Sequence, residues 1–228
     1  MKAKNYLDLS AIDLLNDFGA GSHVPGSGAA AALTALIGVQ LMLTVCKLTL
    51  KKPAYKKCHL LMEQFKHELK TEFEPKLIQL FHKDIEVFSM VSKFRKKASD
   101  ESDDKKKKVL LEQKQKYEVL ATDIPLEISD LCLSLIQKSM QIFDVGFKSA
   151  RGDSGVAIAN LSAASIGSIF IVLLNIKDFK RSTWKTEIIT RCQTSFNNHK
   201  EIQIDILKRI KKLHPTFVDF KQLSIIEK

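Results

Sequence analysis

Asp84 is the side chain with most to explain. Leu77, Leu80, Phe81, Asp84, Ile85, Phe88 and Val91 recur at helical spacing and share one apolar face, whereas Lys83 and Glu86 point the other way. A carboxylate on such a face must be paired, hydrogen-bonded or protonated. It is therefore either a structural acid satisfied by a neighbouring element or a functional acid or base of raised pKa. Three further features invite the same double reading. Asp153 precedes a long uncharged segment and is either its N-cap or a charged group of a site, with Arg151 beside it free to meet an anion or water. Asn175 lies deep in an apolar stretch and needs partners, from another helix or from a ligand. The loop from Gly19 to Gly28 brings backbone amides to the start of an apolar helix, as a flexible connection or as a ligand cradle. It contains Gly26-x-Gly28, but no strand precedes it and no lysine-serine pair follows, so dinucleotide and P-loop readings fail.

Other chemistries find no support. His23, His59, His67, His82, His199 and His214 form no H-E-x-x-H and no carboxylate pattern at ligand spacing, so no metal site is expected. Cys46, Cys58, Cys132 and Cys192 are widely spaced and suggest reduced thiols rather than a disulfide framework. No G-x-S-x-G signature supports acyl-enzyme chemistry. Between Lys93 and Lys116 there are ten basic side chains against five acidic ones, and the run Lys105-Lys106-Lys107-Lys108 within it lies beside four acids and lacks interleaved aromatic residues. That pattern reads as a solvated face, and nucleic acid is not an expected partner.

The elements that must hold these groups are helices. The chain has 228 residues, 45% hydrophobic and 27% charged, with a net charge of +10 and only 9 Gly and 5 Pro, which excludes disordered and low-complexity classes. The segments Gly28–Cys46 and Gly155–Ile176, 19 and 22 residues long, contain no ionisable side chain but Cys46. Their length suits a bilayer, yet Thr34, Gln40, Asn160, Ser162, Ser165 and Asn175 would need partners in lipid, and Ala159, Ala163 and Gly167 form a small-residue ridge suited to close helix packing. They are expected to be buried central helices, their N-terminal ends facing a shared pocket, and no membrane is expected. Around them the pattern predicts an amphipathic helix from Asp8 to Phe18 with Leu9, Ile12, Leu15 and Phe18 inward, and a helix from Pro53 to Phe73. Another starts at Pro75, and a long one is interrupted near Pro125 and stops at Gly146. A final helix over Ser182–Leu213 and a short one after Pro215 complete the chain. The expected fold is all-α, a single-domain helical bundle over residues 1–228. The start, Met1 to Asp8, has no secretory pattern, which makes the cytoplasm the expected compartment.

Several stretches, in order, resemble the cyclodeaminase/cyclohydrolase family of formiminotetrahydrofolate cyclodeaminases and methenyltetrahydrofolate cyclohydrolases. Val24-Pro25-Gly26-Ser27-Gly28-Ala29 is similar to its P-G-G-G-S opening, and Leu48-Thr49-Leu50-Lys51-Lys52-Pro53-Ala54-Tyr55 to its L-T-x-x-K-x-x-Y stretch. Asp84-Ile85-Glu86-Val87-Phe88 resembles its D-x-x-A-F helix, and Ala121-Thr122-Asp123-Ile124-Pro125-Leu126-Glu127 its A-x-E-V-P-L-E segment. Asp153-Ser154-Gly155-Val156-Ala157 resembles its D-x-G-V-A helix start, and Asn175-Ile176 its late N-V pair.

The resemblance implies a homodimer acting on a tetrahydrofolate derivative without metal or redox cofactor. The reaction would be hydrolysis of methenyltetrahydrofolate or cyclisation of formiminotetrahydrofolate with loss of ammonia. Hydrolysis is the preferred expectation, since no formiminotransferase domain accompanies the sequence. By the same resemblance Asp84 and Asp153 are the catalytic candidates, and Pro25, Gly26, Ser27, Gly28, Lys51, Tyr55 and Asn175 the substrate-binding ones. The chain departs from the family pattern at Ser27, where the family has glycine, and at Ala29, where it has serine. Gly146-Phe147-Lys148-Ser149-Ala150 also replaces a polar G-N-x-N element. These departures carry the alternative expectation of an inactive member, a folate-binding or scaffold module.

Overall fold

The glycine turn gives way at Ser27 to one unbroken helix. Without charge or proline until Lys47, and with small residues at Ala29, Ala32, Ala35 and Gly38, this segment can be enclosed on several sides at once. The computed structural model describes residues 5–214; the helix expected after Pro215 lies outside the described residues. Among the described residues there are seven α-helices and no strand: α1 (Ala11–Gly19), α2 (Ser27–Leu50), α3 (His59–Glu68), α4 (Glu74–Asp100), α5 (Asp104–Val145), α6 (Arg151–Asn175) and α7 (Thr183–Leu213). The two uncharged segments are α2 and α6, packed against each other, with α3 and α4 on α2, α5 against α4 and α6, and α7 against α5 and α6. Both are long and apolar enough to cross a membrane by length and composition, but 61% and 50% of their most apolar windows are buried within the bundle.

The helix ends follow local chemistry. Ser10 caps α1 by accepting from the Asp13 N–H, and Asp103 caps α5 by accepting from the N–H groups of Lys105 and Lys106. Before Pro75, where a missing N–H and a ring directed at the Thr71 carbonyl preclude regular bonding, the chain makes a π-helical turn over Leu69–Phe73 and continues into α4.

Several expectations need correction. Pro125 does not interrupt its helix: α5 runs through it for 42 residues. Pro53 opens a short 3₁₀ segment, Pro53–Cys58, so the α-helix proper starts only at His59. Around α1, Leu14 is buried and the expected Leu9 and Phe18 pack half-buried against the core, while Ile12 and Leu15 are 64% and 62% exposed; only the two ends of the face that the apolar spacing favoured meet the bundle. Asp153 is not the N-cap of α6, which begins at Arg151 after Ala150; it occupies the first turn, where its charge still favours the helix dipole. Because Gly146 and Phe147, which lead from α5 into α6, lie against the C-terminal end of α2, α6 starts there and the α2–α6 pair is antiparallel. Their N-termini therefore lie at opposite ends, about 36 Å apart for a 24-residue helix, and share no pocket within one chain.

Candidate active site

The first turn of α2 has donors to satisfy, and its N-cap, Gly26, has no side chain to do so. Asp84 of α4 supplies the acceptor from 55 residues away: the Ala29 N–H donates to its Oδ2 at 2.9 Å. The approach is so close that a Cβ on Gly28 would stand 2.1 Å from Asp84 Oδ1 and 2.5 Å from Cγ. Position 28 is thus glycine because of space, not because of a turn. Asp84 is 7% exposed. Burial pushes its carboxyl up from an ordinary value near 4 to about 6, against the lowering effect of the Ala29 hydrogen bond. None of the described residues donates to Oδ1 by any hydrogen bond, which leaves that oxygen for a ligand.

Asp84 opens onto a cavity of about 260 Å³ lined also by Ser22, His23, Gly26, Ser27, Gly28, Phe88, Ala121, Ile171 and Asn175. Pro125 explains one wall. It has no N–H, so the carbonyl four residues earlier, that of Ala121, is left without its helical donor. Asn175, at the end of α6, donates from Nδ2 to that carbonyl at 2.8 Å. The bond pins α6 to α5 and leaves Asn175 Oδ1 for another group. A smaller cavity of about 130 Å³ adjoins the first through Phe88, Ala121 and Asn175 and adds Arg95, Glu118 and Asp178.

Gly26, Ser27, Gly28, Asp84 and Asn175 are therefore brought together, and Pro25 is buried in the same turn. Lys51, Tyr55 and Asp153 lie at the other end of the α2–α6 pair. There Lys51 is exposed at the α2 C-cap, and the Tyr55 hydroxyl accepts from the Lys148 N–H at 3.2 Å. The tyrosine ring meets Phe147 edge-on at 5.8 Å, and Asp153 is half-buried in the first turn of α6. Sequence reasoning passed over His23, Phe88 and Ala121 as site groups. Phe88 was within reach, one helical turn after Asp84, and so was Ala121, four residues before the proline that frees its carbonyl. His23 belonged to the loop already singled out, but a loop has no periodicity to say which side chain turns inward.

The profile of the formiminotransferase-cyclodeaminase family matches residues 10–194. Formimidoyltransferase-cyclodeaminase of Sus scrofa is 24% identical over 196 residues, 86% of this chain but 36% of the relative, so the chain spans about a third of that protein. The crystal structure of formiminotetrahydrofolate cyclodeaminase from Thermotoga maritima superposes with a TM-score of 0.78 at 19% identity, covering 92% of this chain and 99% of that one, a likeness of fold. Since the profile takes in α1 to α6 with the whole cavity around Asp84, the chain belongs to the formiminotransferase-cyclodeaminase family.

Proposed function

We propose that the chain closes formiminotetrahydrofolate to methenyltetrahydrofolate with release of ammonia, in the cavity beside Asp84. The observation that carries this reading is a buried carboxylate near pKa 6, with one oxygen held by a helix N-terminus and the other unengaged. The reaction moves protons in both directions. The folate N10 attacks the formimino carbon and gives up its proton; the C–N bond to the amino group then breaks as that nitrogen gains one. A single carboxyl that titrates close to neutral pH can take the first proton and return the second. Its negative form also stabilises the cationic methenyl product. Asn175 Oδ1 and the Ser27 hydroxyl border the cavity and can orient the folate. Ring closure stands ahead of methenyl hydrolysis because both named relatives are cyclodeaminases.

The test is to mix purified protein with formiminotetrahydrofolate and follow the absorbance of the methenyl product. We expect it to rise faster than in buffer, unchanged after dialysis against a chelator and abolished in Asp84→Asn. No acceleration would end the proposal. Accelerated decay of added methenyltetrahydrofolate would replace ring closure by hydrolysis, and thermal stabilisation by folates without turnover would mark a binding module.

A further inference from the structure

The proposed ring closure needs a proton that its two nitrogens do not hold. The neutral formimino nitrogen enters with one hydrogen and departs as ammonia with three. N10 supplies one of the two it gains, by way of Asp84, and the other must come from water. Asp84 is poorly placed to fetch it, being 7% exposed and held at Oδ2 by the Ala29 N–H. The group that brings the proton in must touch both the cavity and the solvent, and must take up and release a proton near neutral pH.

One residue of the wall meets all of these demands. Besides Asp84, the polar side chains lining the cavity are the hydroxyls of Ser22 and Ser27, the amide of Asn175 and the imidazole of His23. Of these groups only an imidazole exchanges a proton readily, roughly between pH 5 and 8. His23 is exposed, and its ring nitrogens make no hydrogen bond to any of the described residues. Packing holds the ring instead. It lies against Phe88, with centroids 6.2 Å apart and planes tilted by 54°, and Phe88 stands one helical turn after Asp84 on the same face of α4. The loop is tight on both sides of it: Ser22 Oγ accepts from the Val24 N–H at 3.2 Å, and the His23 carbonyl lies 3.1 Å from where a Cβ on Gly26 would be. The imidazole thus forms the solvent side of a cavity whose buried side carries Asp84. The charged groups around it are Asp84 on α4 and, in the adjoining cavity, Arg95 on α4, Glu118 on α5 and Asp178 after α6; none of them is ion-paired with the ring.

We propose that His23 is the general acid of ammonia release, carrying a proton from water to the formimino nitrogen across the cavity from Asp84. The assignment rests on the proposed ring closure and completes its proton balance. As N10 adds to the formimino carbon, the C=N electron pair moves onto the nitrogen and takes the proton of the His23 imidazolium, while Asp84 Oδ1 takes the N10 proton. Asp84 then returns its proton to the same nitrogen. The C–N pair leaves on ammonia, and the N5 and N10 lone pairs share the positive charge of the methenyl product. Asp84 ends as the carboxylate it began as, and the exposed imidazole recovers its proton from solvent.

The pH dependence of formiminotetrahydrofolate turnover by the full chain tests it. In the wild type kcat/KM should rise as Asp84 ionises, around pH 6, and fall again as the imidazolium gives up its proton. His23→Gln keeps a polar side chain but no titrating one; it should lower kcat by about 10²-fold, keep the acid limb of the profile and lose the alkaline limb. In His23→Ala, added imidazole should restore turnover in proportion to its concentration, and it should restore none to Asp84→Asn. Both His23 variants should melt with the wild type, because the ring is exposed and makes no hydrogen bond to the described residues. An unaltered rate and profile in His23→Gln would overturn the proposal and leave ring closure standing, with the substrate bringing the second proton itself as its amidinium. A slowed His23→Gln that keeps the alkaline limb, with a His23→Ala that imidazole does not rescue, would also overturn it and make His23 a positioning residue. A wild type that forms no methenyl product would end the reaction, and its acid with it.

Discussion

The two ends of the α2–α6 pair are built from similar parts and leave different remainders. At the far end the Thr49 hydroxyl donates to the Val45 carbonyl at 2.8 Å and accepts from the Phe147 N–H at 3.0 Å, while Tyr55 takes the Lys148 N–H and Lys52 lies 5.0 Å over the Phe147 ring. The polar groups there are occupied in joining α5 to α6. At the near end Asp84 and Asn175 each spend one atom on the fold, binding the Ala29 N–H and the Ala121 carbonyl, and keep another toward a cavity. Residual hydrogen-bonding capacity at a buried position, rather than polarity itself, separates a site from a joint.

Four substitutions press on that contrast. Asp84→Asn should have the largest effect, lowering kcat/KM for folate turnover by about 10²–10⁴-fold in a stopped-flow or plate assay. It should also stabilise the protein at pH 8. Because the folded carboxyl binds its proton more tightly than the unfolded one, its favourable contribution is complete below about pH 4 and is lost as the pH rises through about 6. The upper bound on that difference is about 3 kcal/mol, so melting curves of wild type and variant should converge at pH 4 and separate at pH 8. A variant less stable at pH 8 would instead make Asp84 part of the joint.

Gly28→Ala comes next, because its methyl would overlap the carboxylate. Forcing the two apart should cost about 1–3 kcal/mol by chemical denaturation and reduce turnover at least about tenfold. Asn175→Leu leaves the Ala121 carbonyl without a donor and should cost about 1–3 kcal/mol; restoring stability with a second change, Pro125→Ala, which returns the missing N–H, would identify that carbonyl as the cause. The smallest effect belongs to the far end. Thr49→Val should cost about 1–2 kcal/mol in stability, with the remaining folded protein retaining its rate per site. A loss of rate there larger than the loss of fold would erase the distinction between the two ends.

Much of this was legible in the residues. The run from Leu77 to Val91 placed Asp84 on a buried face, and the structure buries it with Leu77, Leu80 and Phe81 while Lys83 and Glu86 stay exposed. Gly146 marked the end of α5, where the helix stops at Val145, because such end signals act within one turn. What failed did so at longer range. Spacing shows that a helix has an apolar face but not how much of it a neighbour covers, hence the exposure of Ile12 and Leu15 while Leu9 and Phe18 pack on the core. A proline shows that one hydrogen bond is lost but not that Asn175, 50 residues on, stands ready to replace its donor and keep α5 continuous. Nor does a chain announce which ends of its helices meet, and so Lys51, Tyr55 and Asp153 were grouped with a cavity that one copy holds without them.

The missing side chain at position 28 ties two distant places in the sequence into one heritable unit. As long as an acid occupies position 84, every substitution at 28 collides with it; once the acid is replaced by something shorter, the pressure for glycine disappears. Among descendants of this fold, the size of the residue at the head of α2 becomes a record of what α4 carries opposite it. A lineage that abandons the carboxylate should begin to accumulate alanine and serine at 28, so the loss of the chemistry would leave its trace in a residue that never performed it.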